Sequence, residues 1–239
     1  MSRVVLITGG ARGLGRGLAQ AFVDNGDRVV VCGRNPGDGP GRFVACDVRD
    51  AEAVDALVAD IMRVEGQLDV AVNNAGGSPY APVATSSPRF AERIIALNLI
   101  APLYVARAAQ AVMAEGVILN IGSVSAIRPA PGTAAYAAAK AGLTTLTRAL
   151  ALEWAPRVRV NQVTVGLLSG DNDLETYGED LETVKATVPM GRMASVADVA
   201  AACLMLASPA LAYVTGADLF VDGGGELPAF HTALGDHHG

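Results

Sequence analysis

Histidine, cysteine and aromatic side chains are scarce in this 239-residue chain. The three histidines, His231, His237 and His238, all fall in the C-terminal tail, so no imidazole is available to a core site. No Cys/His spacing suggests zinc either, and a metal-dependent mechanism is not expected. The three cysteines, Cys32, Cys46 and Cys203, sit singly in apolar patterns. That arrangement fits buried free thiols in a reducing compartment rather than a disulfide framework. Charge is thin as well. Charged residues make up 18% against 51% hydrophobic, which is too apolar for disorder and ample for one large core. The net charge of −6 and the lack of a Lys/Arg stripe argue against nucleic acid as a partner. No apolar run approaches the ~20 residues of a bilayer span, so no membrane association is expected. Met1-Ser2-Arg3 leads straight into a strand pattern with no leader-like region, so a cytoplasmic location is expected.

What the chain does have is glycine at strand ends. The apolar run Arg3–Ile7 leads into Thr8-Gly9-Gly10-Ala11-Arg12-Gly13-Leu14-Gly15, and an amphipathic helix pattern follows to Asn25, with Gly26 as its stop. Strand, glycine loop, helix is the setting in which glycines permit close backbone approach and a helix N-terminus offers N–H groups to a pyrophosphate. The next strand, Arg28–Cys32, ends at Gly33-Arg34, about where an NAD site places an acid on the ribose and an NADP site an arginine. With no acid before Asp38, Arg34 together with Arg12 suits a 2′-phosphate, since guanidinium offers paired N–H groups to phosphate oxygens. NADP(H) is therefore the expected cofactor, with NAD(H) possible. Further on, Asp47-Val48 follows a strand; Asp47 either bonds an adenine edge or caps the next turn. Asn73-Asn74-Ala75-Gly76-Gly77 ends another strand, where small residues let the backbone lie close to a ribose.

Phe90–Met113 carries one long helix pattern with Asn98 in apolar surroundings. A buried amide costs free energy unless its bonds are made, so Asn98 either bonds locally and bends the helix or orders a group in the site. Pro102 supports a disturbance there. The strand Val117–Ile121 runs into Ser123, whose hydroxyl then lies at a strand's carboxyl end. The Ala-rich helix Ala134–Trp154 carries Tyr136 and Lys140 at i and i+4, on one face. A phenol titrates near ~10 in water, and a neighbouring ammonium is expected to lower that value toward the working range. Strands and helices alternate to the end with no linker or repeat. That pattern demands right-handed crossovers: an α/β fold, a Rossmann-type doubly wound parallel sheet of about seven strands with helices on both faces, in a single domain.

With these positions in hand, the sequence resembles the short-chain dehydrogenase/reductase family from about Val4 to Gly224, and within it the 3-oxoacyl reductases. The resemblance is carried by Thr8-Gly9…Gly13-Leu14-Gly15, Asn73-Asn74-Ala75-Gly76, Asn98, Ser123, Tyr136-x-x-x-Lys140, Asn161, Pro189-Met190-Gly191-Arg192 and Thr215-Gly216…Val221-Asp222-Gly223-Gly224. It implies that Tyr136 protonates a carbonyl oxygen during hydride delivery, that Lys140 tunes Tyr136 and holds the nicotinamide ribose, that Ser123 bonds the developing alkoxide, and that Asn98 holds a water linked to Lys140. It also implies a cofactor lined by Gly9, Arg12, Gly13, Leu14, Gly15, Gly33, Arg34, Asp47, Val48, Asn74, Ala75, Gly76 and Gly166. The resemblance further implies carbonyl reduction or alcohol oxidation, since the family's enoyl-reducing relatives space the tyrosine and lysine more widely than Tyr136 and Lys140.

The chain departs from the family at Val165 and Gly170, where a proline and a carboxamide-binding threonine are usual; Ser169 would have to substitute. The domain is expected over residues 1–225, with 167–190 as a substrate-covering segment and 226–239 as a tail. Asp171, Asp173, Glu175, Glu179, Asp180 and Glu182 make that segment acidic, either repelling anionic substrates or forming a solvated outer face. Small residues Ala134, Ala135, Ala138, Ala139 and Gly142 suggest helix pairing in a homo-oligomer, a tetramer or dimer. The expected function is NADPH-dependent reduction of a small-molecule ketone or aldehyde. The alternatives are an NAD-dependent alcohol dehydrogenase of the same family and a non-turnover NADP(H) sensor or scaffold.

Overall fold

Seven strands lie parallel in one sheet in a computed structural model, which describes residues 2–170 and 177–227. In chain order they are β1 (Val4–Thr8), β2 (Arg28–Gly33), β3 (Arg42–Ala45), β4 (Val70–Asn73), β5 (Gly116–Ser123), β6 (Val158–Val165) and β7 (Asp218–Val221). Their spatial order is β3-β2-β1-β4-β5-β6-β7. Strand order reverses between β1 and β4, and a crevice opens there at the carboxyl ends.

β1 is buried and apolar from Val4 to Ile7 because both faces of the sheet are covered. Val4 and Leu6 pack with helices α2 (Ala51–Glu65), α4 (Ala101–Val112) and α5 (Ala134–Trp154). Val5 and Ile7 point the other way, toward α1 (Gly13–Asp24) and the helix Val196–Ala207. The latter is α7; α3 is Pro88–Ile95 and α6 is Leu181–Ala186. Buried amides tie the sheet to α5. Asn73 donates to Asn120 across β4 and β5 at 2.8 Å, and Asn120 donates to Thr147 at 2.8 Å.

The structure divides the expected single helix at Phe90–Met113. α3 and α4 are joined by a π-turn, Ala96–Ile100, in which the Ala101 N–H reaches back to the Ala96 carbonyl. Asn98 sits inside this turn and does both things expected of it: it bonds Ile94 one turn back and holds Gly77 in the loop after β4. By length and a hydropathy of 1.4, Pro88–Val112 would also be long enough to cross a membrane, unlike the apolar runs judged from sequence. It is a core helix: Ala101, Val105 and Ala109 are buried against the sheet.

The small-residue face expected on α5 is also different. Ala139 is buried and Gly142 lies against Leu99, so neither points outward. The exposed face is Ala134, Ala138, Ala141, Thr145, Arg148 and Ala149, small at its N-terminal half with one arginine toward its end. Of the expected tail, only Glu226 and Leu227 fall within the described residues; Asp171, Asp173 and Glu175 of the acidic segment lie outside them.

Candidate active site

A cleft of about 700 Å³ follows the crevice from the glycine loop to Tyr136. That is within the range of cofactor sites. Its floor is built by Thr8, whose hydroxyl accepts from the Asn74 and Ala75 N–H groups, both at 3.0 Å, while the Asn74 amide donates to the Thr8 carbonyl. The Asn-Asn-Ala-Gly turn is thereby pinned onto the glycine loop. Two glycines are needed by geometry. Gly13 has φ +51°, and a Cβ at Gly15 would lie 2.2 Å from the Gly9 carbonyl oxygen. The first turn of α1 carries no side-chain cap and no acid, unlike α2 and α7, capped by Asp50 and Ser195. Its positive end is left to the cleft.

At the far end, Gly33, Arg34, Asp47 and Val48 line the cleft with Arg12. Both arginines are exposed, and neither forms an ion pair among the described residues. Asp47 lines the cleft and also caps the turn after β3: its carboxylate accepts from the Arg49 backbone at 3.1 Å and from Arg49 Nε at 2.9 Å. Arg49 holds Asp47 below the ordinary carboxylate range, and Arg34 adds to the effect.

At the near end three side chains converge. Ser123, the last residue of β5, presents its hydroxyl to the Tyr136 phenol. Lys140 Nζ lies 5.6 Å from the Tyr136 ring centre and donates to the Ile121 carbonyl at 2.7 Å. The expected lowering of the Tyr136 pKa is not found. Burial raises it, and hydrogen bonding from Ser123 only partly opposes this. Lys140 is itself buried, which lowers its pKa to about 8 and leaves a weaker cation than the sequence implied. Asn98 supports the same corner. Its amide donates to the Gly77 carbonyl at 3.0 Å and to Ile94 at 2.9 Å, and its oxygen accepts from the Gly77 N–H at 2.9 Å.

Beyond β6, Gly166 packs so closely on Asp222 that a Cβ would lie 2.8 Å from the Asp222 Cα. Leu168 lines the cleft; Ser169 does not, and its N–H is spent on the Ala194 carbonyl at 2.9 Å. Ser169 therefore lies beside the wall, not in it, because the pairing of Leu168 with Ala194 fixes the register. Asp180 caps α6 through Thr183, and Glu182 pairs with Lys185 on the surface. These described acids follow the outer-face option.

Comparison with known proteins fits this geometry. Residues 9–226 match the family model described as "Enoyl-(Acyl carrier protein) reductase". The chain is 37% identical to 3beta-hydroxysteroid dehydrogenase 1 of Eggerthella lenta, over 98% of this chain and 97% of that protein. Thermoplasma acidophilum aldohexose dehydrogenase superposes with a TM-score of 0.88 at 32% identity, covering 93% of each chain. An uncharacterized short-chain type dehydrogenase/reductase, y4vI, from Sinorhizobium fredii is 36% identical, and this chain spans 43% of its length. The chain belongs to the short-chain dehydrogenase/reductase family. As a member it is an NAD(P)-dependent oxidoreductase acting on CH–OH groups.

The residues present fit such a dinucleotide. A glycine-rich loop at an uncapped helix N-terminus would hold the pyrophosphate, and the Arg12 and Arg34 guanidiniums stand where its adenosine end would lie. Every proposed cofactor residue except Ser169 is in the wall of the cleft, and Asn98 stands behind it. Sequence reasoning missed Arg49 and Cys46 at the adenosine end, Leu168 and, from the covering segment, Tyr177. Arg49 had a signal, a basic residue two positions after Asp47. Tyr177 had none.

Proposed function

We propose that this chain reduces a ketone or aldehyde on a neutral molecule to the alcohol, reversibly, with NADPH as the preferred cofactor. The observation that carries the reading is the convergence of Ser123, Tyr136 and Lys140 at one end of a cleft whose other end exposes Arg12 and Arg34. When bound, the cofactor supplies the hydride. Tyr136, held protonated at neutral pH by burial, gives its proton to the substrate oxygen as general acid. Ser123 donates a hydrogen bond to the same oxygen as negative charge develops there. The Lys140 ammonium stabilises the phenolate that remains, and Asn98 keeps Gly76 and Gly77 in place beside it.

The neutral substrate class is supported by the named relatives, a hydroxysteroid and an aldohexose dehydrogenase. Their names also favour the oxidising direction as a second reading. A sensor or scaffold is disfavoured, because a binding module needs no proton donor. Three buried free cysteines support a reducing, cytoplasmic setting, and the exposed small-residue stripe of α5 supports a homo-oligomer.

NADPH absorbance followed with hydroxysteroid ketones, aldoses and simple aldehydes tests the reading. Turnover should fall about 10²- to 10⁴-fold in Tyr136→Phe. In Arg34→Ala, KM should rise for NADPH and not for NADH. Absence of turnover with every carbonyl, or an active Tyr136→Phe, would end it.

A further inference from the structure

Leu168, in the cleft wall, carries an amide-matching pair of backbone groups. Its neighbours are fixed on one side, the Leu167 carbonyl accepting from Ala194 at 2.8 Å and the Ser169 N–H donating to Ala194 at 2.9 Å. In an extended chain the groups of adjacent residues alternate sides, so the Leu168 N–H and C=O face together away from Ala194. One donor and one acceptor from a single extended residue form the complement of a carboxamide, which offers a carbonyl and an N–H side by side.

Both groups are taken by one side chain. The Leu168 N–H donates to the Tyr177 hydroxyl at 3.0 Å, and that hydroxyl donates to the Leu168 carbonyl at 3.1 Å. A second observation puts this phenol at the reacting end of the cleft: Tyr177 lies near enough to Tyr136 to raise its pKa. The usual carboxamide-binding threonine position is Gly170, with no side chain to offer, and Ser169 is outside the wall. The Leu168 backbone pair is thus the amide-matching group at this end of the cleft.

We infer that the Tyr177 hydroxyl is a placeholder for the cofactor's carboxamide: it competes for the Leu168 N–H and C=O, must leave them when the nicotinamide end docks, and so sets how tightly that end binds. This rests on the dinucleotide reading above. It makes Tyr177 an affinity-setting residue that carries no chemistry of its own.

The test is binding, without turnover. Calorimetry gives Kd for NADPH and for 2′-phospho-ADP-ribose, which lacks the nicotinamide, in the unaltered protein, in Tyr177→Phe and in Tyr177→Leu. Tyr177→Phe keeps the ring and removes the hydroxyl. Two modest hydrogen bonds no longer compete, so NADPH should bind about three- to tenfold more tightly. The fragment should bind as before, and Tyr177→Leu should move the same way. Unchanged or weaker NADPH binding in both variants would overturn the inference, as would equal changes for NADPH and the fragment. If the unaltered protein binds neither ligand, the dinucleotide reading fails and this falls with it. If it binds both and the variants change nothing, only the placeholder is lost.

Discussion

At Lys140 a charge sits where burial resists it. The residue is 5% exposed and its ammonium donates to the Ile121 carbonyl; burial brings its pKa down from 10.5 to about 8. That displacement amounts to roughly 3 kcal/mol of disfavoured charge at neutral pH. The sign follows from proton counting. Between about 8 and 10.5 the unfolded chain holds the lysine proton and the folded chain does not, so this group's penalty is full below 8 and fades as pH rises. Lys140→Met removes the penalty and leaves the Ile121 carbonyl unpaired, a cost of about 1–3 kcal/mol. The stability of the variant relative to the parent should therefore fall by about 2 kcal/mol between pH 7 and pH 9.5, measured by urea denaturation at each pH. Turnover should be lost at both. A pH-independent difference would mean that Lys140 is not buried as a cation. Tyr136 shows the same opposition between burial and function: the sequence shows that phenol and ammonium share a helix face, but the net pKa depends on how much water the fold removes.

The segment from α3 through α4 is where element-level patterns ran short of the structure. Asn98 and Pro102 marked a disturbed helix correctly, because each breaks a rule of helix interiors that composition alone reveals. The form of the disturbance was not legible. A π-turn places Asn98 toward the loop after β4, and that loop's backbone groups supply its partners. Asn98→Leu keeps an apolar fit and strands the Gly77 N–H and C=O together with the Ile94 carbonyl. The Ile94 carbonyl becomes a buried orphan, at about 1–3 kcal/mol, while water can reach the exposed Gly77 groups, so a loss of about 1–3 kcal/mol in unfolding free energy is expected. The urea midpoint measures it. Because Gly76 and Gly77 form the cleft wall beside Lys140, KM for the cofactor should rise along with the loss of stability. A variant as stable as the parent would show that the π-turn holds without its amide.

At the scale of the whole molecule, a doubly wound parallel sheet of about seven strands and the helix carrying Tyr136 and Lys140 were legible, because periodicity and glycine position encode them locally; the strand order was not. What sequence could not show was set by tertiary contact: Arg49 turned onto Asp47, Tyr177 laid on Leu168, and the true outer face of α5. That face decides the proposed self-association. A 21-residue helix places Ala134, Ala138, Ala141, Thr145 and Ala149 in one exposed stripe, continued by Leu152 at 85% exposure. Residues this small let two helix backbones approach closely, and a leucine left in water at the end gains about 1.5–3 kcal/mol by burial. Two copies pairing here would cover the stripe with its symmetry mate. Ala138→Arg puts a long charged side chain at its centre, on the side of α5 away from Lys140. The mass in solution, by light scattering, should drop from an oligomer to a smaller species, and the melting temperature should fall with it. An unchanged mass would place the contact elsewhere on the molecule, because an arginine at the centre of the stripe, unlike Arg148 toward its end, would face its symmetry mate across the two-fold axis and separate the helices.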